Sequence, residues 1–313
     1  MGDLLVLAIG GNSLIKDGKN ITVRDHYLAC VETAQNISEL IKRGYRIVLT
    51  HGNGPQVGFV FRRCELAKHE IPMLPLDSCV SNTQGGIGYL LQLAFNNVFR
   101  DAGIKKPVVT VVTQVVVQED DPAFKKPSKP IGSFIGLSEA QKHQEKDGWQ
   151  VIEDAGRGYR RVVASPMPKE IIELPAIKAL LEQDMLVIAV GGGGIPVYRD
   201  PRGILHGVEA VIDKDYASGL LAKDLNADYF IISTGVDRVS INFNKPEEEK
   251  LDSITVVEAK RYLDEGYFAK GSMFPKVRSI IDFVSATGKV GIITSPQNIS
   301  KSIYEGRGTR ITL

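Results

Sequence analysis

Long apolar runs that end in glycine recur along this chain. LLVLAIGGN (4–12), RIVLTHGNGPQ (46–56) and MLVIAVGGGGIPV (185–197) each pass from hydrophobic residues directly into a glycine-rich turn. An unbroken apolar run is typical of a strand that is buried on both faces, as in a parallel sheet. Glycine lets the backbone turn sharply and lets a ligand approach it closely. We therefore predict parallel strands that deliver their loops to one edge of a sheet, where open α/β folds bind ligands.

Apolar residues at helical spacing separate these runs. They predict one helix that ends at Gly44 and another, over residues 87–98, that is closed by Gly103, because glycine is favoured just after a helix. A capping box at Thr255 predicts the start of a third helix, and Pro275 falls in the first turn of a fourth. Alternating strands and helices of this kind predict an α/β fold.

Two further segments have unusual compositions. SNTQGGIG (81–88) is too rich in glycine to be helical throughout. It is interpreted either as the entrance of a helix that faces a ligand, or as a place where helix packs closely on helix, within one chain or across a dimer interface. VVTVVTQVVV (108–117) is dense in β-branched residues and therefore predicts a single strand.

A polar excursion interrupts the α/β pattern after this strand. Proline and charged residues fill its first part, and a capping box of Ser138 and Gln141 then predicts a short helix. Residues 149–153 and 159–163 predict a β-hairpin, because a glycine-containing turn joins two short runs of strand-forming residues. We expect residues 118–165 to form a small subdomain that protrudes over the site.

Length and composition indicate a globular protein. A chain of 313 residues can bury a large core, and we expect a single domain over 1–313 with two functional halves, 1–184 and 185–313. The hydrophobic content of 43% is ordinary for such a protein. The net charge of +1 gives no reason to expect a nucleic-acid or membrane partner.

The N-terminal segment and the cysteines favour a cytoplasmic location. The first apolar run stops at Gly10 and lacks a basic region before it, so we expect a first strand rather than a signal peptide. Cys30, Cys64 and Cys79 show no C-x-x-C spacing, which argues against a zinc site and a disulfide framework. Reduced thiols in the core are the prediction.

Three lysines make phosphoryl transfer the favoured chemistry. Lys129 lies in the segment KPSKPIG, Lys214 lies between Asp213 and Asp215, and Lys276 opens a helix, where the helix dipole already favours anions. Transfer of a phosphoryl group needs mainly positioning and neutralisation of the charge on its oxygens. Fixed lysines and backbone N–H groups are suited to both tasks.

Other phosphate-binding and catalytic motifs are disfavoured. GYFAKGS (266–272) carries its lysine before the second glycine, which excludes a Walker A loop. The chain has no H-R-D or D-F-G, so it is not a protein kinase, and its glycine loops do not fit the dinucleotide fingerprint. His51 lies in a glycine loop and is more often structural than a catalytic base in such a place.

In combination, AIGGN, THGNGPQVG, KPIG, VGGGGIPV, VIDKD and KGSMFPK resemble the motifs of the carbamate kinases, in this order and along nearly the whole chain. The resemblance implies the amino-acid-kinase fold, a three-layer αβα sandwich with a mainly parallel open sheet. It implies reversible phosphoryl transfer between carbamoyl phosphate with MgADP and carbamate with MgATP. It further implies Mg²⁺ held mainly through the nucleotide phosphates, a homodimer, and a place in the breakdown of arginine or purine derivatives.

The resemblance also assigns roles to individual residues. Lys129 would reach in from the protruding subdomain, Asp213 would orient lysines, and Lys214 and Lys276 would neutralise the nucleotide phosphates. The small acid and the transferring phosphoryl group would be held in the N-terminal half and its neighbouring loop, by Gly10, Gly11, Asn12, Gly52, Asn53, Gly54, Gly191 and Gly192. The nucleotide would lie against the C-terminal half, near Ser233, Thr234, Val236, Lys214, Met273, Phe274, Pro275 and Lys276.

Two alternatives stay open. Another kinase of this fold could act on an amino-acid carboxylate, although relatives of that kind carry a lysine where this chain has Ala8, and Lys129 would replace its charge. A sensor could bind nucleotide or carbamoyl phosphate without turnover. For the kinase, direct in-line transfer is expected, because carbamate is already an anion and needs no strong base.

Overall fold

The structure is a computed structural model that describes residues 2–10, 22–154, 156–269 and 271–313. Within these ranges the helices, in chain order, are α1 (Val23–Lys42), α2 (Gly54–Ala67), α3 (Leu76–Ala102), α4 (Leu137–Asp147), α5 (Leu174–Glu182), α6 (Lys214–Asp224), α7 (Val256–Asp264), α8 (Met273–Thr287) and α9 (Lys301–Tyr304). The strands are β1 (Leu4–Ile9), β2 (Arg46–His51), β3 (Val108–Thr110), β4 (Gln114–Val116), β5 (Lys129–Ile135), β6 (Val151–Glu153), β7 (Tyr159–Val163), β8 (Glu170–Ile171), β9 (Leu186–Ile188), β10 (Ile195–Arg199), β11 (Leu205–Gly207), β12 (Tyr229–Ser233), β13 (Ser240–Ile241), β14 (Glu249–Lys250), β15 (Ser253–Thr255), β16 (Val290–Thr294) and β17 (Thr309–Thr312).

An eight-stranded sheet organises the molecule. Its strand order is β15-β17-β16-β12-β1-β2-β9-β3. Neighbouring strands are parallel throughout, except that β17 runs antiparallel to β16. The predicted parallel arrangement of β1, β2 and β9 is confirmed, and all three strands therefore end at the same edge of the sheet.

The two faces of this sheet contact separate apolar clusters. Along β1, Leu4, Val6 and Ala8 belong to a cluster that includes side chains of α5, α6, α7 and α8. The alternate residues of β1 belong to a second cluster with side chains of α1 and α3. Helices on both faces explain why the strand is apolar without interruption. The predicted three-layer αβα sandwich, the fold class, is thereby confirmed.

The apolar segment 108–117 forms two strands, so the prediction of a single strand is wrong. Its first part is β3, at one edge of the large sheet, and its second part is β4. β4 belongs to a separate four-stranded sheet of order β11-β10-β4-β8. Between the two strands, the backbone N–H and carbonyl of Thr113 both bond to the side chain of Gln84. That side chain comes from α3, so the break is imposed by another part of the chain.

Helix α3 runs without interruption through the glycine-rich segment 81–88, and the prediction that this segment is not fully helical is wrong. A Cβ atom added at Gly88 would lie 2.4 Å from Cγ2 of Thr110 on β3. Gly88 therefore allows close packing of the helix on a strand, not on another helix. At Gly85 and Gly86, no atom of the described residues lies within 4 Å of the corresponding position.

This difference predicts opposite effects of two alanine substitutions in one helix. Gly86→Ala should raise the free energy of unfolding by roughly 0.5–1 kcal/mol, because alanine loses less backbone entropy on folding and meets no neighbour among the described residues of its own chain. Gly88→Ala should lower it by about 1–3 kcal/mol through overpacking against Thr110. Denaturant unfolding of both variants tests the prediction, and equal shifts of the same sign would contradict it.

The excursion folds into a small sheet and a helix. β5, β7 and β6 form an antiparallel three-stranded sheet, which confirms the predicted hairpin. Helix α4 follows β5, but its N-cap is Gly136, and the backbone N–H of Ala140 bonds to the carbonyl of Gly136. Ser138 lies inside the first turn, so the predicted capping box is wrong. The division of the chain into two functional halves stays a prediction.

Several other local predictions are confirmed. α1 is followed by Gly44 and α3 by Gly103, both with positive φ. Thr255 caps α7 in a capping box with Glu258, and Pro275 lies in the first turn of α8. Cys30, Cys64 and Cys79 are free thiols. Among the described residues, no helix combines the length and apolar character that crossing a bilayer requires.

Candidate functional site

Glycine loops follow β1, β2 and β9 at the shared edge of the sheet. A Cβ atom added at Gly10 would lie 3.1 Å from the carbonyl oxygen of Ser233, at the end of β12. One added at Gly192, where φ is +68°, would lie 2.2 Å from Nδ2 of Asn53. The loops are thus packed against one another: a side chain at Gly192 would collide with Asn53, and one at Gly10 would be in tight contact with the backbone of Ser233. Gly11 and Asn12, also predicted for this site, lie outside the described residues.

Two polar side chains of α3 hold the loops after β2 and β9 through hydrogen bonds. The amide nitrogen of Gln84 donates to the carbonyl oxygen of Gly191 at 2.9 Å, and the hydroxyl of Thr83 accepts from Nδ2 of Asn53 at 2.8 Å. Both side chains are buried. Neither residue is among the predicted site residues, because the glycines of 81–88 argue against one continuous helix. Polar residues on the apolar face of a helix were the available signal.

Three lysines and two aspartates meet beside the loops. Nζ of Lys129, from β5, donates to Oδ2 of Asp213 at 2.5 Å. The carboxylate of Asp215 accepts from Lys214 and, at 2.8 Å, from Nζ of Lys276 at the start of α8. Asp213 is the N-cap of α6 and accepts from the backbone N–H of Asp215 at 2.9 Å. Three separate elements therefore bring their charges to one place.

The two aspartates have different partners. Asp213 was predicted to orient the lysines, and in the structure its side-chain ion pair is with Lys129. Asp215 holds both Lys214 and Lys276, and its side chain is only 3% exposed. Asp215 is not among the residues predicted for the site. Its position beside Lys214 was the signal, but spacing alone does not tell which of the two carboxylates faces the lysines.

The charges of this cluster stabilise one another. Burial raises the pKa of both aspartates, but nearby ammonium groups outweigh it, so that each pKa lies below its usual value: Lys129 acts on Asp213, and Lys214 with Lys276 acts on Asp215. Burial would lower the pKa of Lys276, but the carboxylate of Asp215 raises it. The two carboxylates stay ionised. Burial lowers the pKa of Lys214, although the carboxylate of Asp215 opposes this effect.

Lys214 connects this cluster to the loop after β2. A Cβ atom added at Gly52 would lie 3.3 Å from Cδ of Lys214, so the lysine chain crosses directly over this glycine. A hydrogen bond between the hydroxyls of Thr50 and Ser218, 2.6 Å apart, joins β2 to α6. Gly54 then begins α2, whose N-terminal N–H groups favour an anion. A negatively charged ligand between the loop and the lysines would be stabilised from both sides.

The residues predicted to bind the nucleotide lie at two places, the end of β12 with its following loop and the start of α8. Ser233 ends β12, and its buried hydroxyl has no hydrogen-bond partner within the described ranges. The backbone N–H of Thr234 bonds to the carbonyl of Thr294, and Val236 follows in the same loop, partly buried. The second place is the first turn of α8, with Met273, Phe274, Pro275 and Lys276.

His51 supports the glycine loop after β9. Its ring is buried, Nδ1 donates to the carbonyl oxygen of Gly52 at 3.1 Å, and Nε2 has no partner in the described part of the chain. A Cβ atom added at Gly191 would lie 2.4 Å from Nε2. Burial lowers the pKa of His51 to about 4. The ring is therefore a neutral packing element and is covered by the loop.

This shift predicts acid sensitivity of the fold. The pKa of His51 is about 4 when folded and near 6.5 when unfolded, so the unfolded chain binds more protons between these values. Stability is complete above pH 6.5 and falls as the pH drops toward 4. Between pH 7 and 5 the loss should be about 2 kcal/mol. In His51→Gln this part of the pH dependence of the unfolding free energy should disappear, and an unchanged profile would contradict the prediction.

A metal site built from side chains is not found in the described ranges. No group of three or more His, Cys, Asp or Glu residues there could hold a metal ion. The two aspartates of the cluster are already engaged by lysines.

Comparisons with known proteins agree with this geometry. The model of the amino acid kinase family matches residues 3–295. Carbamate kinase 2 of Enterococcus faecalis is 47% identical over 316 residues, which cover 99% of this chain and 98% of that protein. Carbamate kinase-like protein YahI of Escherichia coli is 48% identical over 314 residues, which cover 99% of both chains.

Solved structures show the same relationship. Carbamate kinase from Giardia lamblia bound to citric acid superposes with a TM-score of 0.95 at 41% identity, over 99% of this chain and 98% of that one. The Giardia lamblia enzyme bound to AMP-PNP gives a TM-score of 0.91 at 42% identity, with the same coverage. The chain belongs to the amino acid kinase family and, within it, to the carbamate kinases.

Proposed function

We propose that this protein transfers a phosphoryl group reversibly between carbamoyl phosphate with ADP and carbamate with ATP. The observation that carries the proposal is the cluster of Lys129, Lys214 and Lys276 around Asp213 and Asp215, beside the glycine loops. Lysines that are fixed by buried carboxylates need no reorganisation when charge develops on the phosphoryl oxygens. Membership of the carbamate kinases narrows the acceptor to carbamate.

The loops would bind the small acid and the phosphoryl group. In this proposal the first loop acts through Gly10, Gly11 and Asn12, and the second through Gly52, Asn53 and Gly54, with the start of α2 behind it. Gly191 and Gly192 allow the third loop to approach Asn53, whose amide Thr83 holds in place. Lys129 neutralises the transferring group from the side of the subdomain. Lys214, whose side chain crosses Gly52, would neutralise the phosphates of the nucleotide together with Lys276.

The nucleotide would lie along the C-terminal half. Ser233, Thr234 and Val236 would contact it at the end of β12, and Met273, Phe274, Pro275 and Lys276 at the start of α8. Mg²⁺ would enter with the nucleotide and be held mainly through its phosphates, because lysines already occupy both carboxylates of the cluster. The ion would neutralise phosphate charge.

Transfer would be direct. Carbamate is an anion, so its oxygen can attack without a strong base, and His51, the one candidate base named from the sequence, is buried beneath the loop. The phosphoryl group would pass in line between carbamate and ADP while the lysines neutralise its oxygens. A covalent enzyme intermediate is not needed.

A homodimer is part of the proposal. Tyr89 and Leu93 of α3 and Val112 after β3 form an exposed apolar surface, and these residues are 63%, 37% and 56% exposed. β3 is also an edge strand of the large sheet. Exposed apolar surface beside an open edge is typical of an interface. A cytoplasmic location is proposed as well, because the three cysteines are free thiols.

A panel of acids tests the proposed substrate. The purified protein is given MgATP with ammonium bicarbonate, which supplies carbamate, or with acetate, glutamate or N-acetylglutamate, and ADP release is measured. We expect release with ammonium bicarbonate and little with the other acids. Preference for an amino-acid carboxylate would indicate another small-acid kinase, and binding of MgATP without turnover of any acid would indicate a sensor.

A further inference from the structure

A fourth basic side chain, Arg160, lies beside the proposed substrate loop. It belongs to β7 in the subdomain, and its side chain is only 13% exposed. Nη2 donates to the carbonyl oxygen of Pro130 at 3.3 Å, and Nη1 donates to Oδ2 of Asp154 at 3.2 Å. A Cβ atom added at Gly54 would lie 3.9 Å from Nη2. One guanidinium group therefore contacts the residue after Lys129 and faces the first residue of α2.

This position is unfavourable for a residue with only a structural role. The start of a helix carries partial positive charge, so a cation beside Gly54 is repelled by the helix dipole. Nε of Arg160 is buried and has no hydrogen-bond partner among the described residues, and burial lowers the pKa of the side chain. Unfavourable features that a fold retains in one place are typical of functional sites.

The contact with Pro130 points to the role. Lys129 and Pro130 begin β5, and Pro130 pairs with Val162 of β7. The guanidinium adds a side-chain bond to this backbone pairing and brings the same segment against α2. Pro130 has no backbone N–H of its own, so its carbonyl is the one backbone group by which this residue can be held through hydrogen bonds.

We propose that Arg160 is a positioning residue, which fixes the start of β5 against α2 so that Lys129 reaches the transferring phosphoryl group. The inference rests on the proposed function. Substitution of Arg160 would therefore lower turnover by misplacing Lys129, and not by removing a contact between Arg160 and the substrate.

Arg157 provides a matched control in the same subdomain. Its guanidinium also bonds to Asp154, at 3.2 Å, and also lies over the ring of Phe134, at 4.7 Å against 5.2 Å for Arg160. Its side chain is 62% exposed, however. The two arginines thus share an acidic partner and an aromatic partner, and differ in the contact with the Lys129 segment.

The first experiment measures ATP formation from carbamoyl phosphate and MgADP. Arg160→Met should lower kcat by roughly 10–10²-fold, the effect expected when a catalytic group is misplaced by about 1 Å. Arg160→Lys should restore little of the lost kcat, because an ammonium group keeps the charge but lacks the planar geometry with which the guanidinium bonds to both Pro130 and Asp154. Arg157→Met should stay within about twofold of the unchanged protein, since a surface pair contributes little. Full recovery by Arg160→Lys would overturn the proposal.

A double variant separates positioning from substrate contact. In a Lys129→Ala background, adding Arg160→Met should cause no further loss of kcat, because the residue that it positions is already absent. Losses that multiply, with a raised KM for carbamoyl phosphate, would show that Arg160 acts on the substrate itself and would overturn the proposal. Folding is checked by thermal unfolding, and Arg160→Gln replaces Arg160→Met if the latter does not fold.

Failure of this inference is distinguishable from failure of the proposed function. If the unchanged protein forms no ATP, the proposed function is wrong. If it forms ATP and Arg160→Met and Arg160→Gln do so at the same rate, only the role of Arg160 is wrong.

Discussion

Asp215→Ala is expected to abolish nearly all turnover and to destabilise the fold. Asp215 is the buried carboxylate to which both Lys214 and Lys276 bond, so its removal leaves two lysines without their hydrogen-bonded counter-charge. Removing one partner of a buried ion pair costs about 3–5 kcal/mol. Turnover should fall by roughly 10³-fold or more, because a single misplaced donor costs 10²–10³ and two are affected here.

Asp215→Asn separates activity from stability. Asparagine keeps the volume and can still accept a hydrogen bond, so the folded state should survive better while the lysines lose their counter-charge. Turnover per folded molecule should remain far below that of the unchanged protein. Asp282→Asn on α8 is the control, since Asp282 pairs with Arg278 at the surface, where both side chains are about half exposed. Equal activity of the Asp215→Asn and Asp282→Asn variants would refute the role of Asp215.

Replacement of the cluster lysines has the next largest expected effect. Lys129→Ala and Lys276→Ala should each lower turnover by roughly 10²–10³-fold, the typical loss when one donor to a charged transition state is removed. The two variants should differ in binding: Lys276→Ala should also raise the KM for MgADP, whereas Lys129→Ala should leave it nearly unchanged. Lys260→Ala, an exposed position on α7, is the control. Near-normal turnover in both cluster variants would contradict the assignment.

The large sheet could be predicted from local pattern because burial on both faces leaves a clear trace. β1 alternates between two apolar clusters, so each of its residues must be hydrophobic. The break between β3 and β4 left no such trace. The residues of 108–117 suit a strand, and the break depends on two hydrogen bonds between the backbone of Thr113 and the side chain of Gln84, 29 residues earlier in the sequence.

The functional site, too, can be predicted from the sequence only in part. Glycine loops and lysines could be named from motifs, because close approach of a backbone and neutralisation of phosphate each require particular residue types. The sequence does not show which of Asp213 and Asp215 bonds to Lys276, because this depends on the geometry at the start of α6. Asp213 caps that helix, and Asp215 accepts a hydrogen bond from Lys276 of α8, which lies far away in sequence. Arg160 lies in a hairpin whose sequence carries no motif, and only the contact with Pro130 brings it to the site.

The most direct test of the account is ATP formation from carbamoyl phosphate and MgADP by the purified protein, with the Lys276→Ala variant assayed beside it. We predict Mg²⁺-dependent ATP formation by the unchanged protein and a loss of at least about 10²-fold in the variant, at equal folded concentration. Absence of ATP formation by the unchanged protein, while MgADP still raises its unfolding temperature, would contradict the account.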